Sequence, residues 1–429
     1  MNNEKQIVPD LRFPEFAGHW DFPLIQKLID EQIIVSHLDG NHGSLYPRRE
    51  EFTEKGIPYV TANDFINGYV DFSNSKRLPL ERAKKFKKGV AIDGDILFAH
   101  NATVGPVAKL ETDLDFVILS TTATYFRCDN NTLINDFLKH SLSSPYFVKQ
   151  YTRVMAQSTR NQVPITTQRK FNLLIPNPKE QQKIANCLSS LDEVISSETE
   201  KLDLLKDHKK GLLQQLFPVN GETQPHYRFP EYRNDGDWVS HNLGKICTYF
   251  NGGSNEKNVI DDGDYYLISL NSIDIEGNLK KEMKRVSISD DSLIKNDLVM
   301  VLSDVAHGNF LGLCAIIPNE KYVLNQRMAG LRLKNKDVNI QFLRFFINNN
   351  QKYFKQTGQG SSQQNLAKSS VEKFPVLLPK DLKEQQKIAN CLSSVDGFIE
   401  SQIQKIKGLK NHKKGLMQQL FPKVNSLTI

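Results

Sequence analysis

Two runs of cationic side chains are the first residues whose types and spacing suggest a chemistry. One is Arg82-Ala83-Lys84-Lys85-Phe86-Lys87-Lys88, and the other is Lys280-Lys281-Glu282-Met283-Lys284-Arg285. Each run follows a glycine turn, at Gly68 and Gly277. Such runs neutralise the phosphates of a nucleic acid and position it without reading its sequence. A solvated surface run has the same composition, and since the run recurs in both halves of the chain, both interpretations stay open.

Polar loops near the end of each half carry side chains that suit base edges. They are Gln157-Ser158-Thr159-Arg160-Asn161-Gln162 and Gly358-Gln359-Gly360-Ser361-Ser362-Gln363-Gln364-Asn365. Arginine matches guanine O6 and N7 in the major groove, and glutamine or asparagine matches adenine N6 and N7. The candidates for DNA contact are Arg160, Gln162, Gln363, Gln364 and Asn365. Flexible polar linkers have the same composition, so composition alone leaves that alternative open.

A third pair of polar loops follows two strand-like segments that resemble each other. Gly94-Asp95-Ile96-Leu97-Phe98 leads to His100-Asn101-Ala102-Thr103. Its counterpart, Asn296-Asp297-Leu298-Val299-Met300-Val301, leads to the loop Ser303-Asp304-Val305-Ala306-His307-Gly308-Asn309. Each segment pairs a turn signal with a short apolar run. The loops are further candidates for DNA contact, with a plain turn as the alternative.

No catalytic or metal-binding motif accompanies these loops. Asn177-Pro178-Lys179 breaks the Asn/Asp-Pro-Pro-aromatic pattern of an amino-methyltransferase, and the chain has neither a phosphate-binding glycine loop nor an acidic nuclease cluster. The five cysteines lie at least 59 residues apart, and His208 and His412 have no second ligand nearby. We predict a protein that is not an enzyme by itself and binds no cofactor or metal. The competing hypotheses are a standalone nuclease or methyltransferase, and a scaffold whose heads bind proteins or glycans.

Length and composition describe a globular chain of two to three domains. The 429 residues are 39% hydrophobic and 24% charged, and 55 Lys and Arg against 49 Asp and Glu give a net charge of +6. This excess permits a polyanionic partner without requiring one. Residues 1–6 lack the basic and apolar regions of a secretory signal, and no apolar stretch reaches the roughly 18 residues that span a bilayer. We expect a cytoplasmic protein without a membrane segment.

An internal repeat organises the chain. Residues 179–218 and 383–422 align without a gap and share 28 identities in 40 positions. A shorter repeat begins each half, as Arg12-Phe13-Pro14-Glu15-Phe16 with Trp20 and Arg228-Phe229-Pro230-Glu231-Tyr232 with Trp238. Leader, variable block and repeated segment therefore occur twice in the same order, which fixes the architecture before any element is assigned.

The repeated segment is predicted to be a long helix. Pro178 precedes it and Pro218 follows it, so the first copy should run from Glu180 to Phe217, roughly 55 Å at about 1.5 Å per residue. Apolar residues alternate at steps of four and three, as in a coiled-coil seam, with polar breaks at Glu198, Lys209, Gln402 and Lys413. The simplest arrangement packs the two helices on each other; packing of each on its own domain is the alternative. The seam residues are Ile184, Leu188, Leu191, Ile195, Leu202, Leu205, Leu212, Leu216, Ile388, Leu392, Val395, Ile399, Ile406, Leu409, Leu416 and Leu420.

These features resemble the specificity (S) subunits of type I restriction–modification systems. The resemblance rests on two divergent blocks, each followed by Glu-Gln-Gln-Lys-Ile-Ala (180–185 and 384–389), and on the repeated Arg-Phe-Pro-Glu leader. It implies an α/β (α+β) fold with two target recognition domains in a pseudo-twofold arrangement, joined by two long antiparallel coiled-coil helices. The expected segments are a leader (1–22), recognition domain 1 (23–176), a central region (177–238), recognition domain 2 (239–378) and a C-terminal region (379–429).

The resemblance also implies a function. Each recognition domain would read one half of a bipartite target in double-stranded DNA, and the paired helices would set the unspecified spacer. The repeated regions would dock two modification subunits that methylate adenine, and two restriction subunits would add ATP-driven translocation and cleavage. S-adenosylmethionine, ATP and Mg would then belong to those partner subunits.

Overall fold

The computed structural model describes residues 7–219, 221–290, 292–305, 309–360 and 363–424. The chain divides into two compact units, unit 1 (Met1–Lys201 with Gln402–Ile429) and unit 2 (Leu202–Ser401). The boundary between the units falls inside each of the two long helices. Each unit therefore contains one head, the first half of one long helix and the second half of the other.

The helices of the described residues fall into short helices of the heads and two long helices. Unit 1 has α1 (Ile25–Asp30), α2 (Leu80–Ala83), α3 (Asn135–Leu142), α4 (Pro145–Ala156), α5 (Ile165–Gln168) and the start of α6 (Pro178–Leu216). Unit 2 has α7 (Leu243–Ile246), α8 (Ile340–Asn349), α9 (Gln351–Thr357), α10 (Lys368–Glu372) and the start of α11 (Leu382–Leu420). The two amphipathic segments seen in the sequence thus each form two helices, α3–α4 and α8–α9.

The head of unit 1 is built on two sheets. Its strands are β1 (Ile34–Asp39), β2 (Ile57–Val60), β3 (Phe65–Ile66), β4 (Tyr69–Val70), β5 (Lys76–Leu78), β6 (Val90–Ala91), β7 (Ile96–Asn101), β8 (Thr103–Lys109), β9 (Val117–Leu119) and β10 (Ala123–Cys128). One sheet has the order β1-β10-β7-β8-β4-β3 and the other β5-β2-β9-β6. In the second sheet β2 and β9 are parallel, so the loops that follow them leave the same edge.

The head of unit 2 repeats this plan. Its strands are β11 (Val239–Asn242), β12 (Cys247–Asn251), β13 (Val259–Ile260), β14 (Tyr265–Ile268), β15 (Arg285–Val286), β16 (Leu298–Val301), β17 (Ser303–Val305), β18 (Cys314–Ile316), β19 (Tyr322–Leu324), β20 (Met328–Leu333), β21 (Gln363–Asn365) and β22 (Pro375–Leu378). The sheet β12-β20-β16-β18 corresponds to β1-β10-β7-β8, and β13-β15-β14-β19 again contains a parallel pair, β14 and β19. Two short ribbons, β11-β22 and β17-β21, complete the described pairings.

A matched turn shows that the two heads share one fold. Gly94 and Asn296 both adopt the left-handed region, with φ of 82° and 71°, which asparagine tolerates better than most residues. The next residue, Asp95 or Asp297, accepts a backbone N–H at 2.9 Å and both prongs of an arginine, Arg127 or Arg332, at 2.9 and 2.7 Å. The mixed α/β fold predicted for both blocks is therefore confirmed.

The long helices pair antiparallel within each unit. In unit 1, Gln402 donates to the Glu198 carboxylate at 2.6 Å, and Lys413 pairs with Asp192. In unit 2, Lys209 pairs with Asp396 at 2.8 Å. Residue numbers fall along α6 as they rise along α11, which confirms the antiparallel prediction. The polar residues that interrupt the seam are therefore partners of other helix residues.

The first long helix and its seam lie close to where the sequence predicts them. Helix α6 covers Pro178–Leu216 where the sequence indicated Glu180 to Phe217, because Pro178 is accommodated in the first turn, where its missing N–H has no intrahelical partner. All 16 predicted seam residues are buried or half-buried. No helix in the described part of the chain is both long and apolar enough to cross a membrane.

Candidate nucleic-acid interface

The repeated leader is fastened to the repeated helix by an arginine–glutamate pair. Arg12 donates to both carboxylate oxygens of Glu180, at 2.8 and 2.7 Å, and Arg228 binds Glu384 in the same way at 2.8 Å twice. Both glutamates are almost fully buried. Two-pronged, charge-assisted bonds of this kind fix orientation as well as position. The first residue of Arg-Phe-Pro-Glu therefore binds the first residue of Glu-Gln-Gln-Lys.

The first glutamine of the repeated motif joins the head to the same helix turn. Gln181 accepts from the backbone of Ile134 at 2.9 Å and donates to the carbonyl of Thr132 at 2.9 Å. Gln385 makes the equivalent bonds to Asn339 and Asp337, at 2.9 and 3.2 Å. These contacts lie just before α3 and α8, so the motif explains how each head is oriented on its helix.

A cluster of three charged residues, the ion triad, recurs in both units. In unit 1, Asp192 lies 3.6 Å from the ammonium of Lys139 on α3 and also pairs with Lys413 on α11. In unit 2, Asp396 binds Arg344 on α8 at 2.9 Å and Lys209 on α6 at 2.8 Å. Burial lowers the pKa of Lys139, and the Asp192 carboxylate opposes that shift. Each triad ties a head helix to both long helices.

In the unit 1 head, the structure brings together two of the predicted polar loops. Asn101 and Gln162 form a β-bridge, and Ala102 and Asn161 exchange two hydrogen bonds, of 3.0 Å through Ala102 N–H and 2.5 Å through the Asn161 amide. Arg160 is exposed beside them, and Gln162 is half-buried. Segments about 60 residues apart in sequence therefore form one surface, which we call polar edge 1 (residues 100–103 and 157–162).

The unit 2 head has the same arrangement, which we call polar edge 2 (residues 303–305 and 363–365). Strand β17 pairs with β21, placing Ser303 opposite Asn365 and Asp304 opposite Gln364. Gln363 donates to the Ser303 hydroxyl. Asn365 is exposed, whereas Gln363 and Gln364 are half-buried. The candidates Ala306, His307, Gly308, Ser361 and Ser362 lie outside the described residues.

The lysines of the first cationic run point to solvent, but its arginine does not. Lys84, Lys85, Lys87 and Lys88 are exposed. Arg82 is half-buried, donates to the Leu45 carbonyl at 2.7 Å and forms an ion pair with Glu51. Arg82 thus holds the loop that carries the lysines. Lys84 lies 3.0 Å from Glu81 in an exposed pair, and the structure shows no ion pair for Lys85, Lys87 or Lys88 among the described residues.

The second run is partly engaged within its own head. Lys280 is exposed, Lys281 lies 3.2 Å from Glu400, and Lys284 lies 2.8 Å from Glu256. Arg285 donates to the Gly263 carbonyl at 3.1 Å and to the hydroxyl of Tyr266 at 3.1 Å.

The two cationic runs do not occupy matched positions, which corrects the sequence comparison. Arg285 on β15 lies opposite Tyr266 on β14, and the residue in the same place in unit 1 is Arg77 on β5, opposite Pro58 on β2. Arg77 and Arg285 even make the same bond, to the carbonyls of Gly56 and Gly263 at 3.2 and 3.1 Å. The run 82–88 comes later, on and after α2, for which the structure shows no counterpart in the described part of unit 2.

Two histidines recur with the repeated helix. His208 and His412 are exposed on the long helices. No group of three or more His, Cys, Asp or Glu side chains within the described ranges is arranged to hold a metal ion.

Sequence reasoning missed the ion triads, although a signal was present. Asp192 and Asp396 are the same residue in the two copies although positions 191, 193 and 194 differ from 395, 397 and 398, whereas Lys209 and Lys413 lie in a stretch that is identical in both copies. An aspartate retained among differing neighbours indicates a shared contact. Lys139 and Arg344, the remaining members, lie outside the repeat and carried no such signal.

Taken together, these features define a class of protein. Two heads of one fold are each fixed to the same antiparallel helix pair by the same contacts, and each presents a polar edge with its own side chains. This is a duplicated, two-headed recognition protein.

Comparison with known proteins identifies the family. A family model described as "Type I restriction modification DNA specificity domain" matches residues 38–207 and 235–411, so the chain belongs to the family of type I restriction–modification specificity subunits. It is 25% identical over 382 residues to the putative type I restriction enzyme MjaX specificity subunit of Methanocaldococcus jannaschii, covering 85% of this chain and 86% of that protein. It is 26% identical over 189 residues to the type I restriction enzyme HindI specificity subunit of Haemophilus influenzae, covering 41% and 40%.

Solved structures show the same fold. The crystal structure of a type I restriction–modification S subunit from M. genitalium superposes with a TM-score of 0.62 at 17% identity, over 98% of this chain and 100% of that one. A chain from the structure titled as the basis of complex assembly and conformational transition of the type I R-M system superposes with a TM-score of 0.53 at 16% identity, over 94% and 97%. The predicted family and fold class are thus confirmed.

Proposed function

We propose that this chain is the non-catalytic DNA-recognition subunit of a type I restriction–modification complex, and that each head reads one half of a bipartite target. The observation that carries the proposal is that the contacts fixing each head to the long helices are the same in both units, whereas the polar edges differ. We call those shared contacts the framework. The Arg–Glu pair, the motif glutamine and the ion triad recur in both units. The polar edges differ, with Asn101 and Gln162 in one and Ser303 and Asn365 in the other. Two heads that share a framework and present different side chains at their polar edges suit two different half-sites.

The charged and polar residues fit two separate tasks at such an interface. Lys84, Lys85, Lys87, Lys88 and Lys280 are exposed and suit phosphate oxygens, which position a duplex without specifying its sequence. Lys281, Lys284 and Arg285 would exchange their protein partners for phosphates. The side chains of the polar edges, including Arg160, Gln162, Gln363, Gln364 and Asn365, would meet base edges.

The remaining parts of the proposal concern the partners. The paired helices set the unspecified spacer, and the repeated regions dock two modification subunits, with two restriction subunits completing the complex. Those partner subunits bind S-adenosylmethionine, ATP and Mg, and the modification subunits flip the target adenine out of the base stack. The support is the duplicated framework, which offers the same partner two equivalent surfaces, and the likeness to a chain whose structure is titled as one of complex assembly.

Methylation profiling of cells that co-express this chain with its modification subunit tests the proposal. Single-molecule sequencing should reveal one bipartite motif with methyl-adenine in each half. Exchanging block 239–378 for that of another such subunit should change one half of the motif and leave the other intact. Unmodified DNA from an assembled complex, or a change in both halves, would contradict the proposal.

Salt dependence separates DNA recognition from a scaffold that binds proteins or glycans. If several phosphates are neutralised, the logarithm of the affinity for duplex DNA should fall with the logarithm of salt concentration by about 0.9 per phosphate contact. Replacing Lys87 and Lys88 by serine should reduce that slope, while replacing exposed Lys352 and Lys336 provides a charge-matched control. An affinity that does not change with salt would favour the scaffold.

A further inference from the structure

A tight turn in each head follows the second strand of the parallel pair. In unit 1 it is Ser120-Thr121-Thr122 after β9, and in unit 2 it is Asn325-Gln326-Arg327 after β19. The turns begin alike, because Ser120 donates its N–H to the Val60 carbonyl at 2.7 Å and Asn325 donates to Ile268 at 3.0 Å. Both turns also close alike, through bonds from the following strand to the carbonyls of Ser120 and Asn325 at 3.2 and 3.0 Å.

The turns border the polar edges. The carbonyl of Thr122 accepts from the backbone of His100 at 2.9 Å, and the carbonyl of Arg327 accepts from Leu302 at 3.2 Å. The Asn101 amide donates to the carbonyl of Thr121 at 3.3 Å. Three segments of each head therefore form one continuous surface, and the turn is its third member.

The side chains on this shared backbone differ sharply in exposure. Thr121 and Thr122 are half-buried, and the Thr122 hydroxyl is engaged by the Ala62 N–H at 2.9 Å and by Ser120 at 2.7 Å. Gln326 and Arg327 are exposed, and neither side chain has a hydrogen bond or ion pair with any residue that the structure describes. Both line a groove of about 700 Å³.

The groove supplies the chemistry of a base-reading site. Besides Gln326 and Arg327 it is lined by Asn271, from the loop after β14, and by Lys284, which is paired with Glu256. Glu256 and Glu282 also line the groove. The guanidinium fork matches O6 and N7 of guanine, and a carboxamide matches N6 and N7 of adenine. Unit 2 carries both side chains on this turn, whereas unit 1 carries two short threonines at the same places. The two heads therefore have different side chains on the same backbone conformation.

We propose that Arg327 and Gln326 are specificity-determining residues of the second head, with Arg327 reading a guanine and Gln326 an adenine of its half-site. This inference rests on the proposed function and adds residues that composition and spacing did not indicate. The half-buried Thr121 and Thr122 of the first head make no equivalent contact, so the two half-sites differ at the position beneath this turn.

The test uses the double substitution Gln326→Thr with Arg327→Thr in the full chain, co-expressed with its modification subunit. Threonine occupies both places on the matched backbone of unit 1, so the fold should be retained, and thermal unfolding checks this. Methylation profiling should show the same first half-site and a second half-site relaxed at one or two positions. Binding to duplexes should show roughly 10- to 100-fold less preference for guanine at one of them.

Two further variants distinguish base reading from a general effect of charge. Arg327→Lys retains the charge but loses the fork, so it should relax discrimination while leaving the salt dependence of binding unchanged. Lys321→Thr alters an exposed cation at the other end of β19 and should leave the motif unchanged.

Each alternative outcome overturns the inference in a recognisable way. If the substitutions weaken binding equally on all sequences and reduce the salt slope, Arg327 contacts phosphate. An unaltered motif with unaltered affinity would show that the turn does not meet DNA, and a change in the first half-site would show that the residues do not belong to the second head's readout. A wild-type complex without any motif would instead remove the proposed function itself.

Discussion

Asp192 and Asp396 each compensate two cations that come from different segments of the chain. In unit 1 the ammonium of Lys139 depends strongly on a nearby counter-charge. Lys139 is only 3% exposed, and the structure shows no hydrogen bond to its ammonium. Its compensation comes from the carboxylate 3.6 Å away and from the face of Tyr69, whose ring centre lies 4.4 Å from the nitrogen. A buried charge held in this way stabilises the fold only while its counter-charge remains.

Asp192→Asn should therefore destabilise unit 1. The substitution leaves Lys139 and Lys413 facing each other without a carboxylate, and we expect a loss of about 3 kcal/mol in the free energy of unfolding, at the low end for a buried pair. Lys413 is 25% exposed, which keeps the loss from being larger. Because burial lowers the pKa of Lys139, the deficit should shrink as alkaline pH removes its proton. Urea unfolding between pH 7 and pH 10 measures both effects.

Asp203→Asn is the matched control for this prediction. Asp203 is exposed on the same helix, and its replacement should change the free energy of unfolding by less than about 0.5 kcal/mol. Equal effects of the two substitutions would mean that the triad contributes nothing to stability.

The sequence identifies important residues where a motif repeats. It does not reveal their roles when the residues they bind lie far away in the chain. Glu180 and Gln181 were singled out because their motif occurs twice, but their tasks depend on Arg12 and Ile134, which are far away in sequence. Arg82 belonged to a cationic run, yet its guanidinium is held by Glu51 and Leu45. Composition identifies charge, whereas availability depends on tertiary neighbours.

At the scale of elements, the paired helices were predictable because their period is long and regular. The steps of four and three continue over ten positions in each copy, so a segment with another period would fall out of step with the pattern. The polar breaks also lie at matched positions in the two copies. The heads were predictable only as mixed α/β blocks. Their short strands are ordered by pairings between distant segments, such as β1 with β10, which local patterns do not encode.

Lengthening both helices by one heptad should lengthen the spacer of the target. Seven residues inserted after Lys201 and seven after Ser401 keep the seam in phase and leave the contents of both units unchanged. Each insertion adds roughly 10 Å of helix at about 1.5 Å per residue, which corresponds to about three base pairs. Methylation profiling should show both half-sites intact with a longer gap between them.

Insertions of five residues at the same points serve as the control. Five residues rotate the apolar stripe by about 140°, at about 3.6 residues per turn, so the helices no longer present their apolar stripes to each other and the complex should lose stability. If the heptad variant kept the original gap, or if either half-site changed, the helices would not be acting as the spacer.

At the scale of the whole molecule, the two units differ in their buried histidines. His37, His42, His100 and His140 are buried in unit 1, whereas His208, His226 and His241 of unit 2 are exposed. Burial lowers the pKa of His37 from 6.5 to about 3 and lowers that of His140 well below 6.5. An unfolded chain binds these protons near pH 6.5, so folding excludes them and loses stability as the pH falls below that value.

Unit 1 should therefore be the first to unfold in mild acid. Between pH 7 and pH 5, above the ordinary range of carboxyl groups, each histidine that stays neutral should remove about 2 kcal/mol from the free energy of unfolding. Hydrogen exchange at the two pH values should show protection lost in residues 7–201 and 402–424 before residues 202–401. His140→Gln should reduce the loss by about 2 kcal/mol, while His208→Gln should not change it. Equal loss in both units would contradict this assignment.

The division of each long helix between the units has a consequence for synthesis on the ribosome. Unit 1 includes residues from Gln402 onward, and its core places Phe421 against Trp20 with ring centres 5.8 Å apart. The backbone of Leu11 is likewise bonded to the carbonyl of Gln419 at 2.9 Å. All residues of unit 2, 202–401, are thus synthesised before the residues from Gln402 onward that complete unit 1. We therefore expect the half of the protein that is translated first to be the half that finishes folding last.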